Sequence, residues 1–175
     1  MLEVLVAVVV LALGIVAGVA MQLAALRAHH QTALLSQASQ LAANLAERMR
    51  ANPLPAADNP YLSLNYDALA EPDPVPPQPL CYAPGPACGS AQLAHFDLYE
   101  VKTLVRDRLP GGRVLVCRDA AMWQGGQLRW ACTGNAAAPL VVKVGWRTRQ
   151  PDGTPVRDQA GTTAPGVALA VGAAL

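Results

Sequence analysis

The sequence is poor in charged and aromatic residues. Only 14% of its 175 residues are Asp, Glu, Lys or Arg, and only 5% are Phe, Trp or Tyr. The formal net charge of +1 argues against a nucleic-acid-binding protein, because such proteins carry a basic face or tail. The 53% share of hydrophobic residues excludes a disordered chain.

Motifs for catalysis and for metal binding are also missing. The sequence has no phosphate-binding loop, no paired-carboxylate motif and no nucleophile elbow beside His95 and Asp97. His29 and His30 are adjacent, so on a helix they point about 100° apart and do not share a metal site. The cysteines form no C-x-x-C knuckle, which disfavours zinc. We therefore predict no enzyme, no cofactor and no metal site.

The apolar residues are concentrated at the N-terminus. Residues 1–26 are hydrophobic with four exceptions, Glu3, Gly14, Gly18 and Gln22. As a helix, the uncharged residues 4–26 would span about 35 Å, enough for a bilayer core of about 30 Å. The length of this run, with no basic residue before it, disfavours a cleaved signal peptide.

The helical pattern continues beyond the apolar run. Apolar residues recur at spacings of three and four on one face: Leu34, Ala38, Leu41, Leu45 and Met49. The helix should end at Asn52, because the residue before a proline is disfavoured in helical geometry. We predict one continuous helix of about 50 residues, apolar over residues 1–26 and amphipathic over residues 27–52.

Two features interrupt the apolar segment. Glu3 places a carboxylate there, at a cost of about 2.5–3.5 kcal/mol in the bilayer centre. It is either an interfacial residue favoured by the helix dipole or a partner for a cation in an assembly. Gly14 and Gly18 either allow another helix to approach closely or form a soft point where the helix loosens.

Residues 2–14 resemble the N-terminus of type IV pilins and pseudopilins. That family's mature chain starts Phe-Thr-Leu-(Ile/Leu)-Glu and continues as an apolar helix that becomes amphipathic. Met1 stands where the family has Leu, so the resemblance implies two more mature residues and a basic leader ending in Gly. Three later stretches resemble the PilV group of minor pilins, which extends the resemblance over about residues 2–150: residues 41–53, 91–112 and 141–146.

The resemblance implies an α+β type IV pilin fold, in which the long N-terminal helix packs on a small antiparallel sheet. It also implies a minor pilin that helps to initiate pilus assembly in a tip-associated complex, for motility or adhesion. Glu3 would pair with the N-terminal ammonium of a neighbouring subunit. The implied partners are the major pilin, other minor pilins, the inner-membrane assembly platform, the prepilin peptidase and a tip adhesin.

The implied location is the inner membrane, with the body in the periplasm, and then the pilus at the cell surface. Two alternatives stay open. A minor pseudopilin of a type II secretion system shares the N-terminal helix. A single-span periplasmic sensor or enzyme domain would use the helix only as an anchor.

Residues 53–90 form a predicted Pro-rich loop that holds most of the prolines. Residues 71–79 should be extended, since proline fixes its own φ and restricts the residue before it. We favour a semi-rigid surface connection, while a ligand for an aromatic groove is the other interpretation.

Residues 91–175 should contain a second helix and the sheet. The predicted helix spans residues 91–108 with Ser90 as its cap, and its periodicity puts Leu93 on the apolar face and Asp97 at a polar surface position. The predicted strands are residues 113–117, 127–132, 140–148 and 166–175, and Asp152-Gly153 marks a turn.

The four cysteines favour two disulfides in an oxidising compartment. Cys81 and Cys88 flank a short loop of turn-forming residues. Cys117 and Cys132 would lie opposite each other if residues 123–126 form a four-residue hairpin loop. A two-residue Gly125-Gly126 turn would leave the two cysteines diagonal. We predict the pairs Cys81–Cys88 and Cys117–Cys132.

Overall fold

A computed structural model of the chain describes residues 1–82, 87–148, 154–155, 157 and 162–172. A long helix, α1, packs with its C-terminal half against a shorter helix and a four-stranded antiparallel sheet. The predicted α+β class is confirmed. The predicted Asp152-Gly153 turn lies outside the described residues.

Helix α1 runs without a break over Leu2–Ala51, as predicted. Asn52 caps its C-terminus, and Pro53 follows. The predicted apolar face is buried, and two alanines on the same side of the helix complete it. The buried residues of α1 are Leu34, Ala38, Leu41, Ala42, Leu45, Ala46 and Met49.

The main sheet has the strand order β1-β2-β5-β6. Its strands are β1 (Asn65–Asp67), β2 (Arg113–Arg118), β5 (Leu140–Gly145) and β6 (Val167–Val171). A separate hairpin contains β3 (Trp123–Gln124) and β4 (Gln127–Leu128). Strand β1 was not predicted, because it is three residues long and lies inside the Pro-rich loop.

Helix α2 spans Ser90–Arg108, close to the predicted range. The predicted cap is wrong, because Ser90 is the first helical residue and Gly89 is the N-cap. The side chain of Gln92 accepts a hydrogen bond from the Gly89 amide at 2.9 Å, which satisfies one free donor at the helix start. After the helix, Gly111 turns the chain with a φ of 55°, a conformation that favours glycine.

The predicted hairpin between residues 113–117 and 127–132 is wrong. Strand β2 pairs with β1 on one side and β5 on the other, so it has no free edge for residues 127–132. The turn is the two-residue alternative, in which Gln124 pairs with Gln127 and both glycines have positive φ. Beyond Leu128 the carbonyls of residues 129–131 face the Lys143 ammonium instead of a neighbouring strand.

The last two strands are shorter than predicted. Strand β5 ends at Gly145, which pairs with the first residue of β2. Two residues later, the Arg147 amide donates to the Pro110 carbonyl at 2.8 Å. Strand β6 ends at Val171, within the predicted range of residues 166–175. Side chains from α1, α2 and the inner sheet face form one core, with Tyr61 and Tyr66 from the Pro-rich loop.

Candidate functional site

The N-terminal half of α1 exposes a continuous apolar surface. Every residue from 1 to 30 is exposed, and Leu2 is 79% exposed. By length and composition, α1 is able to cross a membrane. An apolar surface of this size requires lipid or other protein around it.

Glu3 lies in the first turn of α1 and is exposed. Its carboxylate is near the positive end of the helix dipole, a favourable position for a negative charge. In the described part of the chain, no cationic side chain forms an ion pair with it. The assembly interpretation, in which another molecule supplies the counter-charge for Glu3, stays a prediction.

Gly14 and Gly18 lie on an unbroken part of α1. A Cβ atom added at either position would meet nothing within 4 Å. Within this chain, neither glycine is needed for close packing. Both earlier interpretations remain predictions, namely close approach of a second helix and a soft point in the helix.

The packed end of α1 is joined to α2 by an ion-pair network around Arg48. Its guanidinium contacts Asp97 at 2.6 Å and Glu100 at 2.5 Å, and it also donates to Asn44 at 2.7 Å. The Tyr61 hydroxyl donates to the other oxygen of the buried Asp97 carboxylate. Burial and this hydrogen bond raise the pKa of the Tyr61 hydroxyl, so it stays protonated.

A second polar contact fixes the end of α1. The side-chain amide of Asn52 donates to the Ser90 carbonyl at 2.8 Å, at the start of α2. Together with Arg48, Asn52 ties the last turn of α1 to two points of α2. The body therefore has a fixed orientation at the end of α1.

Lys143 and Asp119 form an ion pair that is fully buried. Their side chains are 0% exposed, and Nζ lies 2.6 Å from Oδ2. Burial alone would raise the pKa of Asp119, but hydrogen bonds from the Lys143 ammonium and the Ala121 amide outweigh it and lower this pKa. The ammonium also donates to the carbonyls of Arg129 and Ala131, at 2.8 and 3.0 Å.

Both predicted disulfides are present in the structure. The Cα atoms are 5.6 Å apart in Cys81–Cys88 and 6.4 Å apart in Cys117–Cys132. The second pair forms although the predicted hairpin register is wrong, because the segment after β4 folds back toward β2. The Gly134 amide donates to the Arg118 carbonyl at 3.0 Å beside this disulfide.

The structure does not bring the histidines into a site. His29 and His30 lie on the exposed part of α1. Asp97 binds Arg48 and Tyr61 and not His95. Among the described residues, no cluster of three His, Cys, Asp or Glu is arranged to hold a metal ion.

Sequence reasoning missed the two buried ionic groups. Asp97 was predicted as a polar surface position of α2, yet it is only 5% exposed. Lys143 interrupts an otherwise apolar strand, and this pattern could have indicated a buried lysine with a buried counter-charge. The partner of Lys143 gave no signal, because Asp119 lies in a loop 24 residues earlier. Leu93 was predicted on the apolar face of α2 but is 38% exposed.

Residues 20–99 match the family model described as "Tt1218-like: Type IV pilin Tt1218". The matched range covers the end of the apolar half of α1, its packed half, β1 and the first half of α2. No curated protein matches the chain, and no solved structure matches it. Type IV pilins are structural subunits rather than enzymes, and an exposed apolar helix fits a membrane-anchored pilin that assembles with other pilus components. The match covers 80 of the 175 residues, so this part of the chain is similar to type IV pilins, and the α+β fold is consistent with that similarity.

Proposed function

We propose that the chain is a minor pilin of the PilV type that helps to initiate type IV pilus assembly. The observation that carries the proposal is the division of α1. One half is apolar and wholly exposed, while the other half is packed into a disulfide-bonded body. A simple membrane anchor would not need to continue as the central helix of its own domain.

The proposed mechanism is transfer of the apolar half of α1 from lipid to a bundle of neighbouring helices. Apolar area stays out of water in both states, so the hydrophobic effect opposes neither of them. Polar contacts between particular residues can therefore decide whether the helix leaves the lipid and enters the bundle. The absence of charge between Glu3 and Arg27 suits both environments.

Glu3 would provide the specific contact, by pairing with the N-terminal ammonium of a neighbouring subunit. A carboxylate in an apolar bundle is costly unless a cation compensates it. A wrong register would leave this charge unpaired, so the pair would select the register more than it adds stability.

The proposed subunit is first held in the inner membrane with its body in the periplasm. Two disulfides in the body fit an oxidising compartment. In this account a prepilin peptidase processes the precursor, and the assembly platform adds the subunit to a tip-associated complex. Other minor pilins, the major pilin and a tip adhesin are the proposed partners, and the complex supports motility or adhesion.

The test is quantitative analysis of filaments sheared from cells that express the chain at its native level. We expect the chain in the filament fraction, far below the amount of major pilin, together with other minor pilins. Deleting the gene should strongly reduce surface filaments, and the wild-type gene should restore them. Normal filaments after deletion, with the chain absent from the sheared fraction, would contradict the proposal.

A minor pseudopilin of a type II secretion system remains the second candidate, since it would use the same exposed helix. Measuring protein secretion in the same deletion strain separates the two. Lost secretion with normal pili would favour the pseudopilin, whereas lost pili with normal secretion would favour the pilin.

A further inference from the structure

Residues 71–80, here called the proline segment, lie on the body surface with a repeat of three. Four residues are half-buried at this spacing: Glu71, Pro74, Pro77 and Leu80. The six residues between them are all exposed. A polyproline II helix has three residues per turn, so over residues 71–77 this pattern places one of its three ridges against the body and two toward solvent. The Gln78–Pro79 peptide bond that follows is cis.

The local sequence imposes this conformation. Every residue from 71 to 79 is either a proline or directly precedes one. Proline holds its own φ near −65°, and it disfavours helical geometry in the residue before it. Residues 72–77 therefore keep an extended shape, and in the described part of the chain no backbone hydrogen bond involves them.

Both ends of the proline segment are fixed to the body. Near the first end, Arg106 forms an ion pair with Asp73 at 2.5 Å and donates to the Glu71 carbonyl at 3.2 Å. Just beyond the other end, Cys81 is held by its disulfide, and the Tyr82 ring packs edge-on against Phe96 at 5.3 Å. A segment that is already ordered loses little conformational entropy when it binds a partner.

The exposed surface has the chemistry of a polyproline ligand. Val75 is 81% exposed beside the exposed Pro76, an unfavourable position unless another surface covers it. In the described part of the chain, no backbone amide donates to the carbonyls of residues 72–80. Those carbonyls can accept hydrogen bonds from Trp and Tyr side chains, while the proline rings stack on the same aromatic groups.

We propose that the proline segment is a docking site for a partner protein with an aromatic-lined groove. The ridge through Pro72 and Val75 and the ridge through Asp73 and Pro76 would enter the groove. The Asp73 side chain stays 83% exposed in its ion pair with Arg106, so its carboxylate can accept a further hydrogen bond from a basic group beside the groove. This inference does not depend on the proposed role in pilus assembly.

The test is photocrosslinking in cells that make filaments, with the full-length chain. A photoreactive amino acid replaces Gln78, which is exposed and leaves every proline in place. We expect an adduct with one protein, and the crosslinked peptide should map to a groove that contains Trp or Tyr. A synthetic peptide of residues 70–80 should compete in solubilised membranes, while its proline-to-alanine version should not.

A matched pair of variants separates recognition from folding. Val75→Asp keeps all prolines, and we expect it to lower the adduct yield about tenfold, the effect of losing one apolar anchor. Leu69→Asp changes a 58% exposed residue outside the segment and should leave the yield unchanged.

The proposal is overturned by the absence of an adduct, by an adduct on lipid or on a peptide without aromatic residues, or by an unchanged yield with Val75→Asp. A chain that forms the aromatic adduct but never enters filaments would contradict the pilin role and leave this inference standing.

Discussion

A lysine in the middle of an apolar strand needs a counter-charge and hydrogen-bond acceptors, and Lys143 has both. Asp119 supplies the counter-charge, and backbone carbonyls after β4 accept the remaining ammonium protons. A buried ion pair of this kind is weak evidence for added stability, because both charges lose their hydration. Its visible effect is to hold the segment after β4, which contains Cys132, against β5.

Replacing Lys143 by Met should destabilise the body by about 3–5 kcal/mol, because it leaves Asp119 charged and buried. The double variant with Asp119→Leu should cost less than the sum of the two single variants, since it removes both charges. Urea unfolding of all four proteins measures this coupling, on the body released by removing residues 1–26. Additive single-variant costs would show that the pair is not coupled.

Asp119 also predicts the acid sensitivity of the body. Its pKa is lowered in the folded state, so the unfolded state binds more protons near the usual Asp value of about 3.9. The contribution of Asp119 is therefore present above about pH 4 and is lost as pH falls through the lowered pKa. The difference in unfolding free energy between wild type and Asp119→Asn should narrow from pH 5 to pH 2. A constant difference would contradict this assignment.

At the scale of elements, the contact between α1 and α2 contains a charged network beside apolar packing. Arg48 is the residue that reaches both Asp97 and Glu100. Among the described residues, the ion-pair partner of Arg50, two residues later, is Glu47 on the same exposed side of α1. The two arginines thus offer a matched comparison on one helix turn.

Arg48→Met should destabilise the body by about 1–3 kcal/mol, because it removes charged hydrogen bonds and leaves the buried Asp97 carboxylate with Tyr61 alone. Arg50→Met should change stability by less than about 0.5 kcal/mol, as expected for an exposed pair. Denaturant midpoints of the two variants give the comparison. Equal losses would mean that the network does not join the helices.

Elements set by local rules could be predicted from the sequence. The spacing of the apolar residues from Leu34 to Met49 predicted which face of α1 is packed, and Pro53 predicted where the helix ends. Strand pairing depends on distant residues, so β1 was missed and the hairpin register was wrong. The position of Glu3 in an exposed apolar helix was readable from sequence, whereas the partners of Asp97 and Lys143 were not, because each lies in another element.

At the scale of the whole molecule, the body does not use the first half of α1 for its own packing. None of residues 1–30 is buried, and the first buried residue of α1 is Leu34. Removing residues 1–26 should therefore give a soluble, folded body with both disulfides. Size-exclusion chromatography, circular dichroism and non-reducing peptide mapping check this. An insoluble product, or a folded product with reduced cysteines, would contradict the division into two parts.

The central claim is that the exposed half of α1 is an assembly element and not only an anchor. Glu3 tests it most directly, because anchoring does not require this carboxylate. With Glu3→Ala or the closer analogue Glu3→Gln as the only copy in the cell, we expect normal amounts of chain in the inner membrane. Sheared filaments should contain about tenfold less of it, or be lost, because the variants lack the carboxylate of the proposed register-selecting charge pair. Normal incorporation of both variants into surface filaments would contradict the account.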